Sequence, residues 1–377
     1  MKEYRVGILG FGFIGKVHAY AYRTLPFYCD PVPLAARLTH VVTSRTETAE
    51  AARRLIGADR AATDHREVTE NPDVDIVHIC TPNHLHAEAL LAAIRHGKHI
   101  YCDKPLCADA AEAEAVRAAL ADYRGTAQMT FHNRFFPATL RAKALVEEGA
   151  LGRILQFRAA YLHSGNVDAA APARWKLTRA GGGGVIADLA SHVVDLVDHL
   201  IGPLAATCAL TTTAYPERPA VGDPSRRVAV DAEDCVLALA RMESGAVGTV
   251  ESSKLATGSE DELRLEIHGT GGAIRFNLMD PHHLEYCDAS VPHRPLGGTR
   301  GFLRIACGHR YEAPATSFPS PKASVGWLRA HVECLAHFLR AVAAGQAAQP
   351  DLLQGVRVQQ LMESLRLSAE GRGWVDV

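Results

Sequence analysis

The chain has 377 residues, of which 47% are hydrophobic and 22% charged, and its formal net charge is -2. At roughly 100–200 residues per domain, that length predicts two domains, each with its own core. A near-neutral chain without blocks of like charge argues against a nucleic-acid surface or a polybasic membrane patch, and leaves a small molecule as the expected partner.

Strand-like and helix-like patterns alternate through the first third. Arg5–Leu9, Leu38–Thr43, Asp75–Cys80, His99–Cys102 and Thr126–Phe131 read as strands, and Glu47–Leu55, His86–His96 and Ala110–Ala121 have helical spacing. This alternation predicts a parallel, doubly wound α/β sheet. Pro26–Pro33 contains three prolines and reads as a loop before the second strand. After about residue 132 the texture changes. A helix-like stretch, Thr139–Glu148, leads into strand-like runs at Arg153–Leu162, Cys235–Arg241, Ala246–Ser252, Leu263–His268 and Ala273–Asn277. Helical patterns return at Ile186–Leu200, Leu328–Ala343 and Leu352–Ala369, while Tyr215–Pro224 and Pro292–Gly301 read as loops. The expected architecture is a doubly wound domain over residues 1–132, then an α+β domain over 133–377 built on a large, mostly antiparallel open sheet.

No apolar run approaches the ~18 residues of a membrane span, and the N-terminus lacks the apolar h-region of a signal peptide. Nine scattered cysteines, an odd number without repeated spacing, argue for a reducing cytoplasm rather than a disulfide framework. Cys102 and Cys107 are not mirrored by a second pair, so no metal is expected.

Gly10-Phe11-Gly12-Phe13-Ile14-Gly15 follows the first strand and opens a helix-like stretch. Gly10 permits the tight turn, Gly12 lets the backbone approach a pyrophosphate, and Gly15 lets helix and strand pack closely. The helix start adds unpaired N–H groups and a positive dipole end. A carboxylate normally ends the second strand and holds the ribose 2′-hydroxyl. Here the strand ends Thr43-Ser44-Arg45, and Ser44 and Arg45 suit a 2′-phosphate better than an acid would. The expected cofactor is NAD(P), with NADP slightly favoured over NAD. Thr81 and Pro82 end the third strand and are expected against the cofactor, with Asn83 and His86 following.

Asp103-Lys104-Pro105 follows the fourth predicted strand, and strand ends of this kind face the ligand crevice. Lys104 there suits a donor to a substrate hydroxyl; alone, it reads equally as an exposed turn lysine. Further on, Gly181–Gly184 precede a helical stretch in which Asp188, His192, Asp195 and His199 fall at i, i+4, i+7 and i+11. One reading is a cleft wall whose imidazole exchanges a proton with an alcohol while the carboxylate orients substrate. The other is an Asp–His pair on a solvated face.

Taken together and in order, these segments resemble the Gfo/Idh/MocA family of sugar and cyclitol oxidoreductases. The carriers are Gly10–Gly15 with Lys16-Val17-His18, Cys80-Thr81-Pro82-Asn83-His84-Leu85-His86, Asp103-Lys104-Pro105, Gly183–Asp195 and the terminal Asp351–Val377. The resemblance implies an N-terminal Rossmann domain and a second domain whose open sheet forms a homodimer or homotetramer. It implies catalytic roles for Lys104, Asp188 and His192, and places Asp103 and Lys104 beside the cofactor. Two positions depart from the pattern: Asp103 replaces the usual Glu before Lys-Pro, and His132 stands at an Asn position in Phe131-His132-Asn133-Arg134-Phe135. Arg134 matches, as a substrate-side residue. Tyr161-Leu162-His163-Ser164-Gly165-Asn166 with Arg174-Trp175 is similar to the branch of levoglucosan and related pyranoside dehydrogenases. There His163 would donate to a hydroxyl, and Trp175 would either stack on a sugar face or simply pack.

The expectation is a dehydrogenase or reductase that moves a hydride between nicotinamide and a secondary hydroxyl or ketone of a sugar, anhydrosugar or cyclitol. Two alternatives stay open: a glycosidase that oxidises its substrate transiently with tightly held NAD, and a non-catalytic nucleotide-binding protein.

Overall fold

The computed structural model describes residues 2–296, 298–308, 311–371 and 373–377. The chain forms two compact units. The first comprises Met1–His132, Tyr311–Ser320 and Gly326–Gln359, and the second Asn133–Arg310, Pro321–Val325 and Gln360–Val377.

The first unit begins with β1 (Tyr4–Leu9), α1 (Phe13–Tyr28), β2 (Ala36–Val42), α2 (Thr46–Ile56), β3 (Arg60–Ala62) and α3 (Arg66–Thr69). It continues through β4 (Ile76–Ile79), α4 (His86–Arg95), β5 (His99–Cys102), α5 (Ala110–Ala119) and β6 (Ala127–Met129). The six strands form one sheet in the order β3-β2-β1-β4-β5-β6, paired in parallel. Val6, Ile8, Leu9, Ile76, Val77, Ile79 and Ile100 are buried, as expected when helices cover both sheet faces. Helix starts and stops follow local chemistry. Asp109 accepts from Glu112 N at 2.9 Å while Glu112 Oε2 accepts from Ala108 N at 3.0 Å, a reciprocal cap on α5. Gly57 ends α2 with φ 65°, a left-handed turn that glycine adopts without a Cβ penalty. The predicted Pro26–Pro33 loop is shorter than expected, because α1 runs on through Pro26 to Tyr28. Pro26 stands in the last turn, where its missing N–H forfeits one intrahelical bond while the preceding carbonyl, Leu25 O, still accepts from Cys29 N at 2.9 Å.

The second unit contains α6 (Pro137–Glu147), β7 (Ile154–Leu162), α7 (Ser191–Ile201), β8 (Leu204–Thr212), β9 (Glu217–Ala220), β10 (Asp223–Ala229) and β11 (Cys235–Met242). After these come β12 (Val247–Ser253), β13 (Glu262–Gly269), β14 (Gly272–Asn277), β15 (His283–Asp288) and β16 (Leu303–Ala306). With β17 (Val375–Asp376) they build a nine-stranded sheet ordered β16-β15-β14-β13-β7-β12-β11-β8-β17. β7 and β12 run parallel and the other neighbours antiparallel, so the sheet is mixed but mostly antiparallel. Along β11, Val236, Ala238, Ala240 and Met242 point inward and Leu237 and Leu239 outward, so one face of the sheet carries the core and the other is open. The Tyr215–Pro224 loop is corrected: β9 and β10 pair there as a separate two-stranded ribbon. Prolines are tolerated in such a ribbon because each strand has a free edge that needs no N–H. Of the predicted Pro292–Gly301 loop, Gly297 lies outside the described residues, and the rest holds neither helix nor strand.

The last helices are α8 (Trp327–Ala344) and α9 (Leu352–Gly371). α8 clusters with the first unit. Arg329 of α8 explains part of this return: its guanidinium lies 4.4 Å from the Tyr28 ring and 4.2 Å from the Tyr311 ring, and it pairs with Glu333 at 3.2 Å. Among the described residues no helix is long and apolar enough to cross a membrane.

Candidate functional site

Two clusters of polar side chains stand out, one in each unit. In the first unit the strand order reverses between β1 and β4, and a doubly wound sheet opens its ligand crevice at the carboxyl ends of strands around such a point. Gly10-Phe11-Gly12 turns from β1 into α1 there. Gly10 has φ 86°, and a Cβ on it would lie 2.5 Å from the Cys80 carbonyl oxygen. A Cβ on Gly15 would lie 2.2 Å from the Gly10 oxygen, so the helix packs on the turn only because that residue has no side chain. Gly12 differs. A Cβ there would meet nothing within 4 Å, and the residue caps the start of α1, whose first turn holds no acid. That open backbone at a positive helix end fits a pyrophosphate. Phe13 is exposed, 5.6 Å from the Trp327 ring, and Ile14 is half-buried behind it.

The neighbouring strand ends complete this cluster. Thr43 Oγ1 bonds Thr48 Oγ1 at 2.6 Å and the Arg45 carbonyl at 3.0 Å, which turns the chain out of β2 and leaves Ser44 and Arg45 exposed at the start of α2. After β4, Thr81 and Pro82 are half-buried and Asn83 is buried; the Thr81 hydroxyl is shielded from solvent and has no protein partner, as a ligand-facing group would. After β5, Asp103 accepts from Thr130 Oγ1 at 2.7 Å, which fixes the residue before the half-buried Lys104. The shorter Asp103 thus finds its own partner at the end of β6.

His86 departs from its expected cofactor contact. It is buried, with Nδ1 3.0 Å from the Pro105 carbonyl and Nε2 2.9 Å from the Thr81 carbonyl. Each ring nitrogen lies against a backbone carbonyl, and the neutral ring that burial favours donates to one of them, so His86 sits between the Thr81 turn and the Lys104-Pro105 turn. His132, at the Asn position of the family pattern, stacks on His331 with ring centroids 3.9 Å apart.

Apart from these two clusters, a small buried group of rings lies beneath α1. His78 Nε2 bonds Tyr22 Oη at 2.9 Å, and His78 Nδ1 bonds His18 Nδ1 at 3.0 Å. Burial pushes the His18 imidazole down to about 4, with the Asp103 charge opposing. Sequence reading missed this cluster, since His18 and His78 meet only through the pairing of β1 with β4.

In the second unit the polar cluster forms at one end of the large sheet, where β7 and β12 end and β11 begins. His163 N donates to the Ser253 carbonyl, Asn166 N to the Lys254 carbonyl and Lys254 N to the Asp234 carbonyl, each at 2.9 Å. Asp188 lies in a π-helical turn, Ile186–Ala190, that runs straight into α7, and such turns are frequent at functional sites. Glu233 holds the start of that turn: its backbone oxygen accepts from Val185 N at 2.8 Å and Oε1 accepts from Ile186 N at 3.0 Å. Asp188 stands between two cations. Lys254 Nζ is 2.6 Å from Oδ2, and Lys176 Nζ is 3.0 Å from Oδ1 and 3.2 Å from Oδ2.

The glycine run packs closely against the protein itself. A Cβ on Gly181 would lie 2.5 Å from the Trp175 carbonyl oxygen, on Gly183 2.4 Å from that of Lys176, and on Gly184 2.2 Å from Glu233 Oε1. The close approach is to the protein's own backbone and the Glu233 carboxylate, and it sets the Trp175–Leu177 turn beside Asp188. Trp175 is half-buried, with Lys176 Nζ 5.7 Å from its ring centroid.

The helical stripe divides. His192 is buried, its ring 5.9 Å from that of Tyr161. Asp195 and His199 instead meet Arg134. Arg134 Nε donates to Asp195 Oδ2 at 2.8 Å, its Nη2 donates to Asp195 Oδ1, and its Nη1 lies 3.2 Å from His199 Nδ1. Arg134, expected on the substrate side, is therefore committed to a buried ion pair. His163 Nδ1 accepts from Gly165 N at 3.1 Å, and burial, reinforced by the Lys254 charge, pushes its imidazole towards the neutral form. In that form its proton sits on Nε2, which leaves a donor for a hydroxyl.

The chain's similarities agree with these two clusters. Residues 4–131 match the oxidoreductase family with an NAD-binding Rossmann fold, and residues 139–275 match the GFO/IDH/MocA C-terminal domain. Levoglucosan dehydrogenase of Pseudarthrobacter phenanthrenivorans is 33% identical over 100% of this chain and 99% of its own. A solved structure of levoglucosan dehydrogenase in complex with NADH and levoglucosan superposes with a TM-score of 0.94 at 34% identity, covering 100% of this chain and 99% of that one. Inositol 2-dehydrogenase of Rhizobium meliloti is 28% identical over 77% of this chain and 81% of its own. With both family models matched in order and a full-length relative at this identity, the chain belongs to the Gfo/Idh/MocA family of NAD-binding oxidoreductases.

Proposed function

We propose that the protein oxidises a secondary hydroxyl of a cyclic sugar or anhydrosugar, reversibly and with a freely exchanging nicotinamide dinucleotide. The observation that carries this reading is the full-length similarity to levoglucosan dehydrogenase, whose solved complex holds NADH and levoglucosan. The residues of this chain fit the same chemistry. Gly10–Gly15 would hold the pyrophosphate, with Thr81, Pro82 and Asn83 alongside. Bound nicotinamide supplies the hydride acceptor; the protein supplies placement and proton transfer.

His192 takes the hydroxyl proton as the carbon is oxidised, Lys104 donates a hydrogen bond to the reacting oxygen, and Asp188 accepts from a neighbouring hydroxyl. His163 and Trp175 contact the rest of the ring. His86 and Arg134 act one step back, the first tying two loops and the second holding α7. Exposed Ser44 and Arg45, with no acid closing β2, support use of both cofactors with NADP slightly favoured. The open face of the large sheet, with Leu210, Leu237, Leu239 and Val247 exposed, supports a homodimer or homotetramer through that face. A cytoplasmic location accords with nine free cysteines.

The test is nicotinamide absorbance followed over levoglucosan, inositols, pyranoses and their keto forms, with NAD and NADP in parallel. Steady turnover of added cofactor with a sugar or anhydrosugar is expected. Substrate consumption without net change in absorbance would replace the reading with transient oxidation, and binding without any turnover would end it.

A further inference from the structure

The two lysines on Asp188 differ in every respect that matters to a reacting group. Lys254 follows β12 at the closed end of the sheet, and its side chain is 5% exposed. Its backbone is fixed on both sides, by donation to the Asp234 carbonyl and by acceptance from Asn166 N, each at 2.9 Å. Asn166 is pinned in turn by its own side chain, Nδ2 to Asp234 Oδ1 at 2.6 Å. Lys176 stands on the short Trp175–Leu177 turn with its side chain 48% exposed. Asp188 itself is 21% exposed. Oδ2 therefore faces a buried ammonium at 2.6 Å, while an exposed ammonium at the solvent edge spans both oxygens, nearer Oδ1 at 3.0 Å than Oδ2 at 3.2 Å.

A buried lysine next to a carboxylate costs desolvation on both sides, and a hydrophobic pair of similar volume is often as stable. The arrangement is better accounted for by what it does to the carboxylate. A fixed cation favours the charged form and freezes one oxygen, so that the other keeps its lone pairs in a set direction. An exposed lysine loses little when a ligand displaces it.

We propose that Lys254 is a positioning residue for the reaction, holding Asp188 Oδ2 so that Oδ1 points at substrate, and that Lys176 is the cap which substrate hydroxyls displace from Oδ1. This rests on the assignment of Asp188 to substrate binding above. The two lysines then have separate kinetic signatures. Loss of Lys254 removes the buried hold on Oδ2, and misplacement of an orienting group by an ångström costs about 10²-fold. Loss of Lys176 removes a competitor for Oδ1 and leaves the shorter Lys254 contact to Oδ2 in place.

The experiment uses the full-length protein with levoglucosan, or the best sugar from the panel, as probe. K254M is expected to lower kcat/KM about 10²-fold, mostly in kcat, with K254R regaining at least about tenfold of it. K176M is expected to change kcat less than about threefold and to move mainly KM. In a D188N background K254M is expected to add less than about a threefold further loss, because its target is gone. NADH binding by fluorescence reports whether each variant is folded, and K254Q replaces K254M if that protein does not fold. Near-parental kcat in folded K254M or K254Q overturns the proposal, as does a full 10²-fold effect of K254M on top of D188N. If D188N itself turns over normally, the assignment of Asp188 falls and this proposal with it; an impaired D188N beside a normal K254M removes the lysine's role alone.

Discussion

Arg134 and Asp195 offer a sharp separation between a residue that binds substrate and one that holds the scaffold. Their side chains are 8% and 2% exposed, and two guanidinium nitrogens donate to the two carboxylate oxygens. Replacing Asp195 by Asn keeps the shape and removes the charge. Arg134 cannot shed its own charge to compensate, since a guanidinium stays protonated in proteins. His199, the third member, cannot help either. Burial and then the charges of Arg134 and Lys143 push its imidazole down to about 3, so at neutral pH it carries no negative or positive charge to rebalance. Breaking a buried pair on one side costs about 3–5 kcal/mol. For a unit of this size each kcal/mol is worth about 2–4 °C, so the melting temperature of D195N should fall by about 10 °C. The double variant R134Q/D195N, which removes both charges, should recover a large part of that loss. Thermal and urea unfolding followed by circular dichroism, with KM measured on the folded fraction, checks both. A D195N protein melting within about 2 °C of the parent would refute the pair as a structural element. R134Q raising KM with no loss of stability would restore Arg134 to the substrate side.

Acid should destabilise the fold before its carboxylates titrate. His18 and His199 are pushed down from 6.5 to about 4 and about 3, so below pH 6.5 the unfolded chain binds protons that the folded one refuses. Their contribution is complete above pH 6.5 and drains away as pH falls towards those values, at about 1.4 kcal/mol per pH unit for each group, and urea midpoints measured at pH 7, 6 and 5 should drop accordingly; a flat series would contradict the burial of these rings. Gly12→Ala should leave the melting temperature unchanged, since its Cβ meets no protein atom, while weakening cofactor at least about tenfold in a fluorescence titration; unchanged affinity would displace the pyrophosphate from that turn. Leu237 and Leu239 are 47% and 54% exposed on the open sheet face, and L237E/L239E should reduce the mass measured by light scattering to that of a monomer; an unaltered oligomer would place the interface elsewhere.

What the sequence disclosed was chemistry that is local. The glycine loop, the Asp103-Lys104-Pro105 turn and the Asp188–His192 spacing each occupy a few consecutive residues, and each sits where the alternation of strand and helix predicts a strand end or a helix start. What stayed hidden depends on long-range pairing. Lys254 becomes a partner of Asp188 only because the end of β12 packs against the π-helical turn Ile186–Ala190, and nothing near Lys254 in sequence marks it. Resemblance alone puts Arg134 on the substrate side, and no local pattern joins it to its partner Asp195, 61 residues further on. Trp327–Ala344 reads correctly as a helix, yet an amphipathic pattern does not say which unit it will cover. The β9–β10 ribbon was concealed by Pro219, Gly222 and Pro224, residues that end strands inside a sheet but are harmless on its edges. His86 has the position of a cofactor contact, and only the fold shows that it is buried between the Pro105 and Thr81 carbonyls.

The central claim is that this chain moves a hydride between nicotinamide and a sugar carbon with His192 as the proton acceptor. Single-turnover reduction of nicotinamide by the best panel substrate, in the parent and in His192→Ala, tests it most directly. The expected result is reduction in the parent and a rate about 10²–10⁴ lower in the variant, with cofactor affinity unchanged. A His192→Ala protein that reduces nicotinamide at the parental rate would contradict it.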